Sequence, residues 1–389
     1  MRIAILTDSF PPYLSGVITH FVELARSLLK KGHQVLILTA NHPEKSLPKG
    51  LEEARVVYLP SFQTHVPRLR VCFPNTLRVI LEIRNFKADL IETDSPSFLG
   101  IDGLVASKIL RTPRVSAFYT LFTSREYLQV VFNFEGDFLQ KLIWSYHRWF
   151  YNSSDMIGVP TDGVADLLVR NRIARNKIEK LPLLFDFYNV KALREEDIPK
   201  TKVKYDLRDK VAIFVGRISS EKRLDFLIHV WSHVVEEYED SSLLIVGGGL
   251  YEMELKKLVR RYSLDNHVRM VGPIDHEELL SSGLISACDL FVSVSTSETL
   301  GLAGIEAMAH GIPVVLAQSQ GLAEIVGGAG IVCPPNDLQC FKTSILQIFK
   351  DENLKSEMGK AAKNMASNYG SSSVVNEVFE KYRALCARG

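Results

Sequence analysis

The residues from Leu290 to Val315 read LFVSVSTSETLGLAGIEAMAHGIPVV and contain one complete strand–helix–strand unit. The largely apolar run Leu290 to Val294 is typical of a strand buried in a parallel sheet. A polar loop with Glu298 follows, a helix is predicted to open near Leu302, and Val314-Val315 begins the next strand. Strands joined by a helical crossover run parallel, so this stretch predicts an α/β fold.

The same alternation extends in both directions from this unit. Further strands are predicted at Val211–Val215, Leu243–Val246 and Val268–Val271 in this half, and at Ile3–Leu6, Val35–Leu38, Val56–Leu59, Leu90–Ile91, Val115–Phe118 and Met156–Pro160 in the first half. The charged segment from Pro182 to Lys204 carries two prolines, and we place the domain linker there. The fold class is therefore α/β with two doubly wound halves, residues 1–190 and 191–372. The amphipathic stretch at about 373–389 needs a domain to pack against, because an isolated helix of that length is marginal.

Composition excludes several classes of protein. The chain has 389 residues, and its 46 basic and 45 acidic side chains leave a formal charge of +1. That length suits two or three domains at ~150 residues each, and near-neutral charge argues against a nucleic-acid partner. The hydrophobic fraction of 46% excludes a disordered or fibrous chain.

Targeting signals and cysteines point to a reducing compartment. No apolar run approaches the ~18 residues of a membrane-spanning helix, and the apolar start of the chain is too short for a signal peptide. The five cysteines are odd in number and lack a CxxC pair, so we expect free thiols in the cytoplasm.

A diphosphate site is predicted at the start of the helix near Leu302. The first amides of a helix have no intrahelical partners and attract anions, so the amides around Thr299 to Leu302 suit a diphosphate. Glu298 and Glu306 flank them and are able to accept hydrogen bonds from sugar hydroxyls. The alternative is that both glutamates are ordinary capping residues.

A second group of candidate phosphate ligands follows the strand Val211–Val215. Gly216 lets the backbone approach a ligand, and Arg217 and Lys222 are placed to converge on phosphate oxygens. The alternative is a solvated turn before a basic helix start.

Together these elements resemble the retaining glycosyltransferases of family 4. The matching stretches span nearly the whole chain and are, in chain order, Ser15–Val17, Gly216–Lys222, Glu298 with Glu306, Glu306–Val315, Gly321–Glu324 and Gly330–Asp337. The resemblance implies the GT-B fold, in which two Rossmann-like domains face a central cleft and the C-terminal helix crosses back onto the first domain.

The resemblance also implies roles for individual residues. Arg217 and Lys222 would neutralise the leaving diphosphate, and Glu298 would touch the transferred sugar or the diphosphate. The donor-binding residues it implies are Gly16, Val271, Gly272, Thr299, Leu300, Gly301, Leu302 and Glu306. The reaction would retain the anomeric configuration and would need no metal or other cofactor.

Two departures from the family pattern stand out. Many members carry a histidine near the donor sugar where this chain has Tyr119, so the phenol would take over its positioning role in catalysis. The alternative is a lost activity or an altered donor. The segment Pro182–Asp186 lacks the usual Asn-Gly, which we interpret as structural.

The acceptor side is predicted in the first half of the chain. The candidate acceptor residues are Arg68, Arg70, Arg125, Glu126 and Tyr127. The segment from Arg68 to Lys87 is basic and amphipathic, which suits either an anionic membrane surface or a solvated helix face. The aromatic residues between Lys141 and Tyr151 are either an interfacial patch or core.

The sequence therefore predicts a hexosyltransferase that uses a nucleotide diphosphate sugar, with a UDP-sugar favoured over a GDP-sugar. Its acceptor would be a hydroxyl of a membrane lipid, a glycan or a small molecule, and the protein would be cytoplasmic or peripheral on the cytoplasmic membrane face. The alternatives are a UDP-sugar epimerase on the same fold and a non-catalytic sugar-nucleotide binder. A nicotinamide dehydrogenase is excluded because the loop Thr7 to Gly16 lacks GxGxxG.

Overall fold

The structure is a computed structural model and describes residues 1–13, 15–64, 68–123, 137–185, 190–191, 193–319, 321–370 and 372–387. These residues form two compact units. The described residues up to Phe185 and those from 372 onward make the first unit, and those from 190 to Gly370 make the second.

The first unit is built on a seven-stranded parallel sheet in the order β3-β2-β1-β6-β7-β8-β9. The strands of this unit are β1 (Arg2–Thr7), β2 (Gln34–Ala40), β3 (Arg55–Leu59), β4 (Ser61–Gln63), β5 (Arg70–Cys72), β6 (Leu90–Thr93), β7 (Arg114–Ala117), β8 (Met156–Val159) and β9 (Ile178–Lys180). Its helices before the second unit are α1 (Gly16–Lys30), α2 (Thr76–Phe86), α3 (Phe98–Leu110), α4 (Asp137–Asn152) and α5 (Asp162–Arg170).

Helix α1 illustrates why the pattern folds this way. Ser15 is its N-cap, and the Ser15 hydroxyl accepts a hydrogen bond from the Ile18 amide at 3.4 Å. Its apolar residues Phe21, Leu24 and Leu28 lie one turn apart and are buried. The predicted helix face is therefore the one that packs in the unit.

The second unit is built on a six-stranded parallel sheet in the order β12-β11-β10-β13-β14-β15. Its strands are β10 (Lys210–Val215), β11 (Ser241–Val246), β12 (Val268–Gly272), β13 (Leu290–Ser293), β14 (Val314–Ala317) and β15 (Gly330–Cys333). Its helices are α6 (Ile198–Lys204), α7 (Leu224–Glu237), α8 (Glu252–Arg261), α9 (His276–Ser281), α10 (Leu302–Ala309), α11 (Leu322–Val326), α12 (Leu338–Lys350) and α13 (Glu352–Gly370). The fold class is confirmed, since both units are parallel sheets with alternating helices.

The last helix, α14 (Ser372–Cys386), belongs to the first unit. Its Phe379 ring stacks on His33 with centroids 4.3 Å apart, and the Lys381 ammonium donates to the Lys180 carbonyl at 2.6 Å. Tyr382 is fully buried. The helix thus obtains from this unit the packing that its amphipathic pattern requires.

Short elements were not predicted. Strands β4 and β5 form an antiparallel hairpin, and β9 and β15 are edge strands of the two sheets. Strands β4, β5 and β9 have three residues each, too few for a hydrophobic period to be read from the sequence, and β15 begins with a glycine, which is depleted in strands.

The charged segment from Pro182 to Lys204, which was expected to be irregular and to hold the domain linker, is helical at its C-terminal end. Residues Ile198–Lys204 form α6, and Pro199 lies in its first turn. A proline there costs nothing, because the amide it lacks would have no helical partner. The proline indicated a helix start rather than a loop.

The expectation of five free thiols is also wrong. Cys333 and Cys340 form a disulfide, with their Cα atoms 5.7 Å apart. Cys333 ends β15, and the turn before α12 returns the chain so that Cys340, in the first turn of that helix, faces it. Cys72, Cys288 and Cys386 are free.

Candidate functional site

The candidate site lies at the carboxyl ends of β10 and β13, which are neighbours at the centre of the second sheet. The strand order reverses direction here, since β11 and β12 lie to one side of β10 and β14 and β15 lie beyond β13. Ligands of doubly wound sheets bind at such a switch point. The loops that leave these two strands carry six of the site residues predicted from the sequence, namely Arg217, Lys222, Glu298, Thr299, Leu300 and Gly301.

Lys222 and Glu298 come together from these two loops. The Lys222 ammonium lies 2.6 Å from a Glu298 carboxylate oxygen, although 76 residues separate them. Lys222 ends a single turn of helix, Ser220–Lys222, and Glu298 precedes α10. The structure thus brings Lys222, a predicted phosphate ligand, to the loop that precedes α10.

Arg217 is held by a carboxylate that sequence analysis missed. Its guanidinium donates to Glu221 at 2.7 Å, and the Glu221 side chain is buried while Arg217 is partly exposed. A buried carboxylate fixes the guanidinium plane because the planar fork has few orientations that keep the bond. The acid before a lysine in Glu221-Lys222 was the available signal.

The start of α10 has the geometry predicted for an anion site. Gly301 is its N-cap in the left-handed conformation, with φ 73°, which a residue without a side chain adopts at little cost. The loop from Thr299 to Gly301 leads into the first turn at Leu302, and Thr299, Leu300 and Leu302 are buried. The helix therefore begins where the sequence predicted, and its first amides have the orientation that favours anions.

Glu306 lies in the second turn of α10 and is almost fully buried. One of its carboxylate oxygens lies 2.8 Å from Nε2 of His276, the first residue of α9. His310, one turn further along α10, is buried with its Nδ1 2.8 Å from the Ser286 hydroxyl. Burial lowers the pKa of His310 to about 4, so that histidine is neutral at neutral pH.

Gly247, Gly248 and Gly249 form a glycine triplet that contacts the loop after β10. The Gly247 amide donates to the Gly272 carbonyl at 2.9 Å, and the Ile218 amide donates to the Gly248 carbonyl at 3.0 Å. A Cβ atom at Gly247 would lie 1.9 Å from the Gly216 carbonyl oxygen, so the two loops approach as only glycine allows. Through Gly247, Gly272 at the end of β12 is connected to the loop at Gly216. The triplet was not predicted from the sequence.

Tyr119 lies inside the first unit. Its side chain is buried, and its ring meets the buried His20 edge-on with centroids 4.7 Å apart. The Leu184 amide donates to His20 Nδ1 at 2.9 Å, and burial lowers the pKa of His20 to about 3. Since burial also raises the pKa of Tyr119 well above 10, the phenol stays neutral. The catalytic role of Tyr119 stays a prediction.

Two family profiles match successive parts of the chain. Glycosyltransferase Family 4 matches residues 14–186, and Glycosyl transferases group 1 matches residues 195–365. The chain belongs to the group 1 glycosyltransferases. The matches cover both units, and the second one includes every ion pair of the candidate site.

Relatives of this glycosyltransferase match over most of its length. It is 27% identical over 380 residues to the sulfoquinovosyl transferase SQD2 of Arabidopsis thaliana, covering 95% of this chain and 70% of that protein. It is 28% identical over 334 residues to the alpha-monoglucosyldiacylglycerol synthase of Acholeplasma laidlawii, covering 81% and 80%. A solved structure of HepE from Anabaena in complex with UDP-glucose superposes with a TM-score of 0.80 at 20% identity, covering 99% of this chain and 100% of that one. Such a likeness shows the GT-B fold.

The predicted acceptor residues of the glycosyltransferase are less well defined. Arg68 is exposed, and Arg70 donates from Nη2 to the Ser61 carbonyl at 2.7 Å within the β4–β5 hairpin. Arg125, Glu126 and Tyr127 lie outside the described residues. Gly16 is the first residue of α1, where its role at the donor stays a prediction.

The described ranges lack a grouped set of metal ligands and a membrane-spanning helix. Within them, no three His, Cys, Asp or Glu side chains are grouped as a metal site would require. Nor do the same residues include a helix with the length and apolar content needed to cross a membrane.

Proposed function

We propose that this glycosyltransferase moves a hexose from a nucleotide diphosphate sugar to a hydroxyl acceptor, with retention and without a metal ion. The observation that carries the proposal is the convergence of Lys222 and Glu298 at the start of α10, beside the Arg217–Glu221 pair. Two cations and a helix start thus belong to the loops that follow two neighbouring strands of the second unit. A diphosphate is the ligand whose charge and size such a site suits.

The chemistry follows from where charge develops. Negative charge grows on the diphosphate as the sugar bond breaks, so Lys222 and Arg217 stabilise the transition state more than the bound donor. Lys222 would exchange its bond to Glu298 for a phosphate oxygen, which frees Glu298 to accept a hydrogen bond from a sugar hydroxyl. Glu306 would accept hydrogen bonds from the ribose.

The donor is tested first by binding. The purified protein is screened by thermal shift against UDP, GDP, ADP and their hexose conjugates, because a ligand of the folded state raises the melting temperature by mass action. We expect a selective shift with the UDP compounds. A selective shift with GDP compounds would replace UDP by GDP, and no shift at all would refute the nucleotide-sugar site.

Turnover is tested next, with the donor that binds. Release of the free nucleotide, an α-linked product from an α-linked donor by NMR, and an unchanged rate in EDTA would support transfer, retention and metal independence in turn. An inverted product or a rate abolished by EDTA would overturn the corresponding part of the proposal.

The acceptor we propose is the hydroxyl of a membrane lipid. The name of the Acholeplasma relative describes synthesis of a glucosyldiacylglycerol, and the first unit here exposes apolar side chains next to basic ones. Leu77 and Leu81 lie one turn apart on the exposed side of α2, and Arg78 and Arg84 are exposed on the same helix. Such a surface suits an anionic bilayer.

Vesicle binding tests that surface. We expect the protein to co-sediment with vesicles containing phosphatidylglycerol more than with phosphatidylcholine vesicles, and Leu77→Ser with Leu81→Ser to reduce it. Val203→Ser on α6 is the control, since Val203 is at least as exposed as either leucine but lies in the second unit. An equal loss in the control, or no binding by the parent, would refute the membrane surface.

A non-catalytic sugar-nucleotide binder is the second candidate. The buried Tyr119 favours it, because the family's histidine position then offers no titratable group near neutral pH. A protein that binds the nucleotide sugar but neither hydrolyses it nor transfers its hexose to lipid extracts would support this candidate.

A further inference from the structure

His276 and Glu306 form a contact that the proposed chemistry does not yet use. Nε2 of His276 lies 2.8 Å from Oε1 of Glu306, across 30 residues of sequence. The pair joins the start of α9 to the second turn of α10, two helices that follow different strands of the second sheet.

The backbone that carries His276 is itself fixed. Asp275 is the N-cap of α9, and its Oδ1 accepts hydrogen bonds from the amides of Glu277 at 3.0 Å and Glu278 at 3.3 Å. His276 therefore lies at the start of a capped helix, so the position of its backbone is fixed. The imidazole is about a quarter exposed, whereas Glu306 is 6% exposed.

A carboxylate as buried as that of Glu306 needs a hydrogen-bond donor. A carboxylate has two oxygens with about four lone-pair directions. When the histidine N–H takes one oxygen, the carboxylate plane is set, and the direction of its second oxygen is set with it.

The other histidine near Glu306 makes no such bond, since Nε2 of His310 has no hydrogen-bond partner among the described residues. His310 follows Glu306 by one helical turn, and its Nδ1 is engaged with the Ser286 hydroxyl at 2.8 Å. It is buried and contributes to packing at the end of α10. The contact that orients Glu306 therefore comes from α9.

We propose that His276 is a positioning residue for the donor, which holds the Glu306 carboxylate so that it meets the ribose hydroxyls of the bound nucleotide. The proposal rests on the proposed function, because it takes the nucleotide as the ligand of Glu306. His276 acts through Glu306 and does not contact the reacting atoms.

Two variants that differ in reach provide the test. His276→Gln places an amide nitrogen close to where Nε2 lies and retains the hydrogen bond. The side chain in His276→Asn is one carbon–carbon bond shorter, so its amide does not reach Glu306 and the hydrogen bond is lost. Both are polar and suit a helix start, so their folding should be alike, which thermal unfolding checks.

The ligands are chosen to isolate the ribose contact. Affinities for UDP, 2′-deoxy-UDP and 3′-deoxy-UDP are measured by calorimetry, with the guanosine series used instead if GDP is the nucleotide that binds. We expect His276→Asn to weaken UDP binding by roughly 10-fold and His276→Gln by less than about 3-fold. For the deoxynucleotide that lacks the hydroxyl held by Glu306, the loss in His276→Asn should fall below about 2-fold.

Kinetics and a surface control complete the design. His276→Asn should raise KM for the nucleotide sugar and leave kcat within about 2-fold, because it removes ground-state and transition-state binding equally. His233→Asn on α7 is the matched control, since His233 also contacts a glutamate, Glu236 at 3.2 Å, but on an exposed helix face. It should change neither affinity nor KM.

The outcomes separate the two proposals. If the parent binds none of UDP, GDP and ADP, the proposed function fails. If the parent binds a nucleotide but His276→Asn binds it equally well, the role of His276 is refuted and the proposed function stands. An equal loss for the ribo- and both deoxynucleotides would show a structural effect and would also overturn the positioning role.

Discussion

The central strands of the two units are arranged alike but differ in the chemistry of the side chain at their third position. In the first sheet, β6 lies beside β1 and carries Glu92 as its third residue, paired in register with Ile5 and Val115. In the second sheet, β13 lies beside β10 and carries Val292 as its third residue, in register with Val315. The first sheet thus has a carboxyl group in its interior, where the second sheet has a valine side chain.

The difference separates two uses of charge. Burial raises the pKa of Glu92 to about 7, and the Tyr382 hydroxyl of α14 opposes that rise only in part. In the second unit, Lys222, Glu298 and Glu306 lie beyond the ends of the strands and have partners. A charge inside a sheet makes stability depend on pH, whereas charges at strand ends are available to a ligand.

The largest effect is expected when the interior charge is copied into the second sheet. Val292→Glu should cost more than about 4 kcal/mol of unfolding free energy, because the new carboxylate is buried in an apolar core. Val292→Thr, nearly the same shape with one hydroxyl, should cost about 1–3 kcal/mol. Denaturant unfolding measures both, and equal costs would show that charge is not what separates the sheets.

The second effect concerns the charges at the strand ends. Lys222→Ala should lower kcat by about 100-fold or more while the melting temperature changes little, because this cation acts on the growing diphosphate charge. Lys256→Ala on α8 removes a cation that is paired with Glu252 at 2.6 Å on an exposed face and should leave kcat unchanged. If Lys222→Ala lowered the melting temperature but not kcat, the Lys222–Glu298 pair would have only a structural role.

The interior charge of the first sheet predicts a dependence on pH. The pKa of Glu92 in the folded protein, about 7, lies above its ordinary value of 4.5, so the folded state keeps this proton to higher pH than the unfolded chain. Stability from this group is therefore lost as pH rises from about 4.5 through about 7. Glu92→Gln, which is neutral throughout, should be more stable than the parent by about 3 kcal/mol at pH 8 and by little at pH 4.5.

The comparison of parent and variant at each pH by denaturant unfolding measures the effect of the Glu92 charge. Asp94, whose pKa burial also raises to about 7, is present in both proteins, and its charge adds to the rise in the pKa of Glu92, so the difference includes the coupling of this pair. A difference between Glu92→Gln and the parent that does not change with pH would contradict the assignment.

The smallest effect is expected from the backbone beneath the strand-end charges. Gly247→Ala should cost about 2 kcal/mol and weaken nucleotide binding, since its Cβ would lie 1.9 Å from the Gly216 carbonyl oxygen and its φ is +140°. Gly248→Ala is the control, because its Cβ would meet the nearest atom, of Pro273, at an ordinary 3.5 Å. If the two variants had the same stability and nucleotide affinity, the close approach of Gly247 to Gly216 would have no role in the site.

Much of this molecule could be predicted from local pattern. Apolar runs such as Ile3 to Leu6 and Val211 to Val215 are buried strands, and α10 begins at Leu302 as the loop with Glu298 predicted. These features were predictable because strand burial and helix starts depend on residues close together in the sequence. The hairpin β4–β5 was not, since its strands of three residues each are too short to show a period.

The pairings of the site could not be predicted in the same way. The sequence named Arg217, Lys222, Glu298 and Glu306, but it did not name Glu221 or His276 as their partners. Glu298 is 76 residues from Lys222 and His276 is 30 residues from Glu306, so no local spacing indicates either contact. Tyr119 likewise read as a site residue, and its burial against His20 depends on α1, far away in the chain.

The sequence by itself determined the two parallel α/β units, the position of the helix start near Leu302 and the family to which the chain belongs. Only the tertiary structure decided which cation meets which carboxylate, that Cys333 and Cys340 are joined, and that Glu92 is buried without a charged partner in the part of the chain described. The reason is physical. Hydrophobic period and backbone capping act over a few residues, whereas burial and ion pairing depend on which strands the sheet brings side by side.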